Sequence, residues 1–253
     1  MHKLLISSKK FLTPKSSTVA LILCIETASD VCSIVLAKDG KTIEMKETTE
    51  ERSHASRVSV FIDDILKKES ILSSDLDAVA VSKGPGSYTG LRIGVSISKG
   101  ICYGASIPLI GISTLQSLSW DIVKLLPEPL KNDSTLWLCP MLDARRMEVY
   151  TAFYDTSFNE MKKTSADIIT AESYLDILSE HKVVFFGNGS KKCKEVIKHK
   201  NAVFLDNIHA SASKMACFAE SAYNSGKFED VAYFEPFYLK DFQTTTPKNK
   251  IFK

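Results

Sequence analysis

Dense apolar runs of strand length open this chain, and apolar positions at helical spacing follow them. Ala20–Ile25 is unbroken apolar, Glu26–Asp30 is polar, and Val31–Lys38 is a second run rich in β-branched residues. This pattern predicts two strands joined by a turn. Asp39-Gly40 is a strong hairpin signal and leads to a third strand near Thr42–Glu47. Val58, Phe61, Ile62, Ile65 and Leu66 then recur on one face of a helix, with Ser53 as a fitting N-cap. "LDAVAVSKG" predicts a buried strand. After it come a helix from Tyr88 to Tyr103, a strand at Pro108–Ile112 and a helix at Thr114–Leu126.

Pro127–Ser134 has the composition of a linker. Beyond it the opening plan recurs. "LWLCPMLDARRMEVYTAFYD" predicts two strands joined near Asp143–Arg145. Helix Ala171–Glu180, strand Val183–Phe186, helix Lys191–Lys198 and strand Ala202–Leu205 follow. A last helix is capped by Ser211 or Ser213 and stopped by Gly226. Two hairpin-led halves of strand–helix units predict an α/β protein with a duplicated mixed sheet, the pattern of actin-like and sugar-kinase ATPases. The expected division is a leader at 1–19, one lobe at 20–126, a second at 127–242 and a frayed tail at 243–253.

Composition changes this picture little. The formal charge of +2 depends on the leader, where Lys3, Lys9, Lys10 and Lys15 face no acid; without it the balance is −2. A near-neutral body gives no general argument for nucleic-acid binding. The leader reads as a disordered extension or an over-long start, not a targeting signal, and no run reaches the length of a membrane span. Six dispersed cysteines without a C-x-x-C pair argue against a disulfide scaffold or zinc site and for a reduced, cytoplasmic protein.

The candidate chemistry centres on "SKGPGSYTGLRIGVSISKG". From Gly84 neither G-x-x-x-x-G-K-[ST] nor G-x-G-x-x-G is satisfied, because Thr89 stands where a glycine is required. As a helix, the same stretch aligns Gly90, Gly94 and Ser98 in one small-residue stripe, with Leu91, Val95 and Cys102 beside it. Apolar residues on more than one face require cover on more than one side. Either the chain's own elements or a partner helix supplies it.

"LCIETASDVCSIVLAKDGK", "GPGSYTGLRIG", "MLDARRMEVYTAFY" and "EPFYLKDF" occur in order from Ala20 to Phe242 and together resemble the TsaB (YeaZ) family. That resemblance implies a degenerate actin-like fold. It implies an accessory role in making threonylcarbamoyladenosine on tRNAs that read A-starting codons. The partners it implies are the transferase TsaD, the small ATPase TsaE and, when alone, a second copy of the chain; tRNA is met only through the complex. The catalytic relative places two metal-binding histidines just after P-L-I-G, where this chain has Thr114 and Leu118. Neither replaces an imidazole, so no catalytic residue, metal or cofactor is expected. The implied interface is His54, Val58, Phe61, Ile62, Leu91, Gly94, Val95, Ser98 and Cys102, and a leucine at Gly94 is expected to block docking while sparing the fold.

The alternative is an ATPase or sugar-kinase-like enzyme using Glu26 and the glycine turn Gly187–Gly189. Turn chemistry with Ser190 as N-cap accounts for the same residues. Asp143, Arg145 and Arg146 fit either local turn pairing or contact with an anionic partner.

Overall fold

The computed structural model describes residues 19–50 and 54–240; residues 1–18 of the expected leader, residues 51–53 with the expected cap Ser53, and the tail beyond Lys240 lie outside them. β1 (Leu21–Glu26), β2 (Cys32–Lys38) and β3 (Lys41–Thr48) form an antiparallel meander. After helix α1 (His54–Lys68), β4 (Ala78–Gly84) pairs with β1 in parallel; after α2 (Tyr88–Ala105), β5 (Leu109–Ser113) pairs with β4. The short helices α3 (Thr114–Leu118), α4 (Ile122–Leu125) and α5 (Glu128–Lys131) cross to the second sheet. There β6 (Trp137–Asp143), β7 (Glu148–Tyr154) and β8 (Glu160–Ile168) are antiparallel. Helix α6 (Leu175–Glu180) precedes β9 (Val183–Phe186), and α7 (Ser190–Lys194) precedes β10 (Ala202–Phe204). The orders β3-β2-β1-β4-β5 and β8-β7-β6-β9-β10 are the same plan executed twice.

β1 is apolar at every position but Glu26, and β4 is apolar over Ala78–Val81, because both faces of the sheet are covered. On one face Val58, Ile62 and Ile65 of α1 and Val95 and Cys102 of α2 complete the core. On the other lie Ala212, Met215, Ala216, Ala219 and Tyr223. These last residues belong to a short 3-10 turn and to α8 (Ala216–Asn224), which returns from the second sheet. Phe234 also packs into the first core. A division at 126/127 therefore separates the two sheets but not the two packed bodies. Trp120, Phe158 and Phe218 meet with ring centroids 5.4 to 5.5 Å apart and join α8 to the α3–α4 turn and to the β7–β8 turn of the second sheet.

Several elements depart from expectation; α6 begins at Leu175 and α7 ends at Lys194, both shorter than the helices expected over Ala171–Glu180 and Lys191–Lys198. β8 was absent from the sequence pattern, since "EMKKTSADI" has no apolar alternation; its ladder with β7 makes it a strand. The helix expected over Thr114–Leu126 divides at Asp121, whose φ of 64° breaks it. The expected linker contains α5.

Candidate functional site

The turns at the carboxyl ends of β1, β4, β6 and β9 converge with the strap Phe237–Lys240 around a cleft of about 410 Å³. Ser29, Asp30, Ser87 and Tyr88 line it from the first lobe, and Asp143, Arg145, Tyr150 and Asn188 from the second. Asn188 spans the two, accepting from the Asp143 amide at 3.0 Å and donating toward Asp30 at 3.5 Å. The strap is tied to β4 by the Phe237 amide, which donates to Lys83 O at 2.7 Å, and the segment leading into it is tied to α2 by Lys99, whose Nζ donates to Ala232 O and Phe234 O. The Tyr88 and Tyr238 rings lie 4.9 Å apart across it.

The glycines at the β4–α2 junction serve packing. A Cβ on Gly86 would lie 2.3 Å from Ala28 O, and one on Gly90 2.0 Å from Thr27 O. A Cβ on Gly94 would lie 2.3 Å from Thr27 Oγ1. The β1–β2 turn thus lies directly on α2, held where Thr27 Oγ1 donates to Gly90 O at 2.8 Å and the Ser87 amide donates to Ala28 O at 2.7 Å. At the helix start the Ser87 hydroxyl accepts from the Gly90 amide. Loop and helix spend their close-approach positions on the protein itself. No local signal marks Thr27, because its contacts lie 63 residues away.

Glu26 lies beneath this turn, fully buried, and does not line the cleft. Its Oε1 accepts from the Ala28 amide at 2.6 Å and from the Ser82 hydroxyl at 3.0 Å, while Oε2 has no partner. Burial pushes its carboxyl up to about 7, against the lowering effect of those hydrogen bonds and of the Lys214 charge. Its place in the structure is that of a core hydrogen-bonding group.

The second lobe repeats the device. Gly187 (φ 100°) and Gly189 sit against β6, where a Cβ would lie 2.4 Å from Met141 O and 2.9 Å from Leu142 C respectively. The helix cap is Gly189 in place of the expected Ser190, whose hydroxyl turns back to Gly187 O at 2.8 Å. Asp143 accepts from the Arg145 amide and from Lys192 Nζ, and Lys192 also donates to Arg146 O and Glu148 O. Asp143 therefore holds the turn in which Arg145 and Arg146 adopt positive φ. Both arginine side chains are exposed, and Arg145 lines the cleft.

The expected partner-facing residues divide by depth. Val58, Ile62, Leu91, Gly94, Val95, Ser98 and Cys102 are buried in the chain's own core, so they form a floor and not a contact surface. Gly94→Leu would drive a side chain into Thr27 and disrupt the fold, contrary to the expectation that it spares it. Phe61 is half-buried; His54 begins α1, and its side chain is outside the described residues. What these helices present outward is Val60 and Tyr103, 48% and 76% exposed, while Ile93, Ile97 and Ile101 pack against the first core and keep only part of their surface open. Beside them Gly100 and Gly104 look onto open space.

Thr114 and Leu118 are fully buried. Leu118 belongs to the core beneath the second sheet, and Thr114 Oγ1 has no hydrogen-bond partner. Among the described residues no group of three or more His, Cys, Asp or Glu is placed to hold a metal ion. No helix among them is long and apolar enough to cross a membrane.

Fold and cleft define a two-lobed protein of the actin-like class, in which helix packing has taken the positions open to a phosphate loop. A family model described as TsaD, tRNA N6-adenosine threonylcarbamoyltransferase, matches residues 43–248. The tRNA threonylcarbamoyladenosine biosynthesis protein TsaB of Escherichia coli is 32% identical over 228 residues, covering 87% of this chain and 94% of that protein. TsaB of Bacillus subtilis is 28% identical, over 70% of this chain and 75% of that one. The structure of YeaZ from Pseudomonas aeruginosa superposes with a TM-score of 0.70 at 21% identity, over 87% of this chain and 100% of that chain. The chain belongs to the TsaB family.

Proposed function

We propose that this chain is a non-catalytic subunit in the biosynthesis of threonylcarbamoyladenosine on tRNA. It binds a TsaD-type transferase through α1 and α2 and holds it in a competent state. A TsaE-type ATPase joins the larger complex. Without the transferase, the same face pairs two copies of the chain.

The observation that carries this reading is the outward face of α2. Tyr103 is 76% exposed beside the partly covered edges of Ile93, Ile97 and Ile101, and Gly100 and Gly104 leave room for another helix backbone to approach. Exposed apolar surface of this kind marks an interaction site, and small residues permit close helix contact. The buried Thr114 and Leu118, where the catalytic relative carries metal ligands, support the accessory role.

The test is light scattering after gel filtration of the chain with the TsaD-type protein of the same organism. The expected result is a heterodimer that Gly100→Arg abolishes, since a Cβ there meets nothing within 4 Å and the fold is spared. An unchanged affinity of the variant would place the interface elsewhere. No association of the wild type at micromolar concentration would overturn the reading and turn attention to nucleotide binding in the cleft.

A further inference from the structure

Between Ser190 and Lys200 the chain carries five lysines and His199 against a single acid, Glu195. The remainder of residues 19–240 holds 20 Lys and Arg against 28 Asp and Glu. A near-neutral total therefore conceals one concentrated basic stretch on an otherwise acidic body. The fold places it at an edge of the second sheet, because α7 leads into β10, the outermost strand.

There Lys194, Lys198, His199 and Lys200 line a shallow depression of about 380 Å³, with Ile197 and Phe204 among its other lining residues, while Lys192 is held at the Asp143 turn. Phe204 is half-buried and braced by Phe185, with ring centroids 5.0 Å apart. Lys194 pairs with Asp206 at 3.0 Å and Lys198 with Glu195 at 3.6 Å, all with exposed side chains. Such pairs contribute at most about 1 kcal/mol and yield readily to a stronger anion. Lys200 pairs with no carboxylate among the described residues.

Lysines around an aromatic floor fit a sugar-phosphate backbone with an unstacked base better than they fit a protein core or a small ligand. We infer that this groove contacts the phosphodiester backbone of the tRNA when the chain is in its complex. The inference rests on the accessory-subunit reading and extends it by giving this chain its own share of the RNA. The groove belongs to the second sheet, whereas α1 and α2 cover the first, so the two contacts make no competing demand.

The test is the binding of a fluorescent tRNA transcript to the complex of the full chain with its TsaD-type partner, from about 50 to 200 mM salt. Wild type is compared with Lys194→Glu/Lys198→Glu/Lys200→Glu, the three lysines that line the groove. Each phosphate contact contributes roughly 0.7 to 0.9 to the slope of log affinity against log salt. The triple variant is expected to bind at least about tenfold more weakly, with a slope smaller by about 2. Lys→Gln at the same positions is expected to give an intermediate loss. Gel filtration of the same samples reports complex formation separately. If no complex forms, the accessory-subunit reading fails, and the groove is tested with the full chain alone. Unchanged tRNA affinity and slope in the triple variant overturn the inference. So does a loss of binding to phosphatidylserine vesicles with tRNA binding retained.

Discussion

Substituting alanine for glycine at two positions of α2 should change stability in opposite directions. A Cβ on Gly94 would meet Thr27 Oγ1 at 2.3 Å and Val81 Cγ2 at 3.4 Å. The threonine hydroxyl cannot withdraw freely, because it donates to Gly90 O at 2.8 Å in a fully buried position. Overpacking of this kind costs about 1 to 3 kcal/mol, and loss of the hydrogen bond about 1 more. The better helix propensity of alanine offsets about 1. Gly94→Ala should therefore destabilise the chain by about 1 to 3 kcal/mol. At Gly100 a Cβ meets nothing within 4 Å, so Gly100→Ala should stabilise by about 1 kcal/mol through propensity alone. Equilibrium urea unfolding followed by circular dichroism measures both. A double-mutant cycle with Thr27→Ala isolates the contact. Removing the hydroxyl should recover about 1 to 2 kcal/mol of the Gly94→Ala loss. Equal effects at the two glycines, or additive behaviour with Thr27→Ala, would refute the packing explanation of the glycine-rich stretch.

Glu26, lifted from an ordinary value near 4.5 to about 7 by burial, should make stability depend on pH. Between those values the folded chain holds the extra proton, so stability is complete below the unfolded value and falls as pH rises through about 7, by about 3 kcal/mol in all. Glu26→Gln should flatten the urea midpoint between pH 5 and pH 8; parallel profiles for variant and wild type would contradict this. Thr114→Ala removes a buried hydroxyl without a partner. It should leave stability unchanged or raise it by about 1 kcal/mol, with tRNA modification by the reconstituted system unaltered. A collapse of modification with partner binding intact would indicate a catalytic role.

Much of the architecture is legible locally. β9 spans Val183–Phe186 as the apolar run predicts, and Asp39-Gly40 forms its hairpin with both residues at positive φ. These elements follow from short-range chemistry: a run buried on both faces, or a turn residue that tolerates the left-handed region. β8 was not legible, because an edge strand owes its state to the ladder beside it and not to its own side chains. The same limit applied to the candidate site. Glu26 follows an apolar run at a turn, which marks it equally well as a phosphate contact or a core group. Its hydrogen bonds to Ala28 and Ser82 and its complete burial decided between them.

By itself the sequence determined the duplicated α/β plan, the absence of a phosphate-loop pattern and the presence of a helix with small and apolar residues on more than one face. Only the tertiary structure decided which face is spent inside. Gly90 and Gly94 lie against Thr27, while Gly100 and Gly104, on the same helix, open outward. Helical periodicity records that two faces need cover, but it carries no information about what supplies that cover. That depends on contacts across more than 60 residues of chain, such as the hydrogen bond from Thr27 to Gly90.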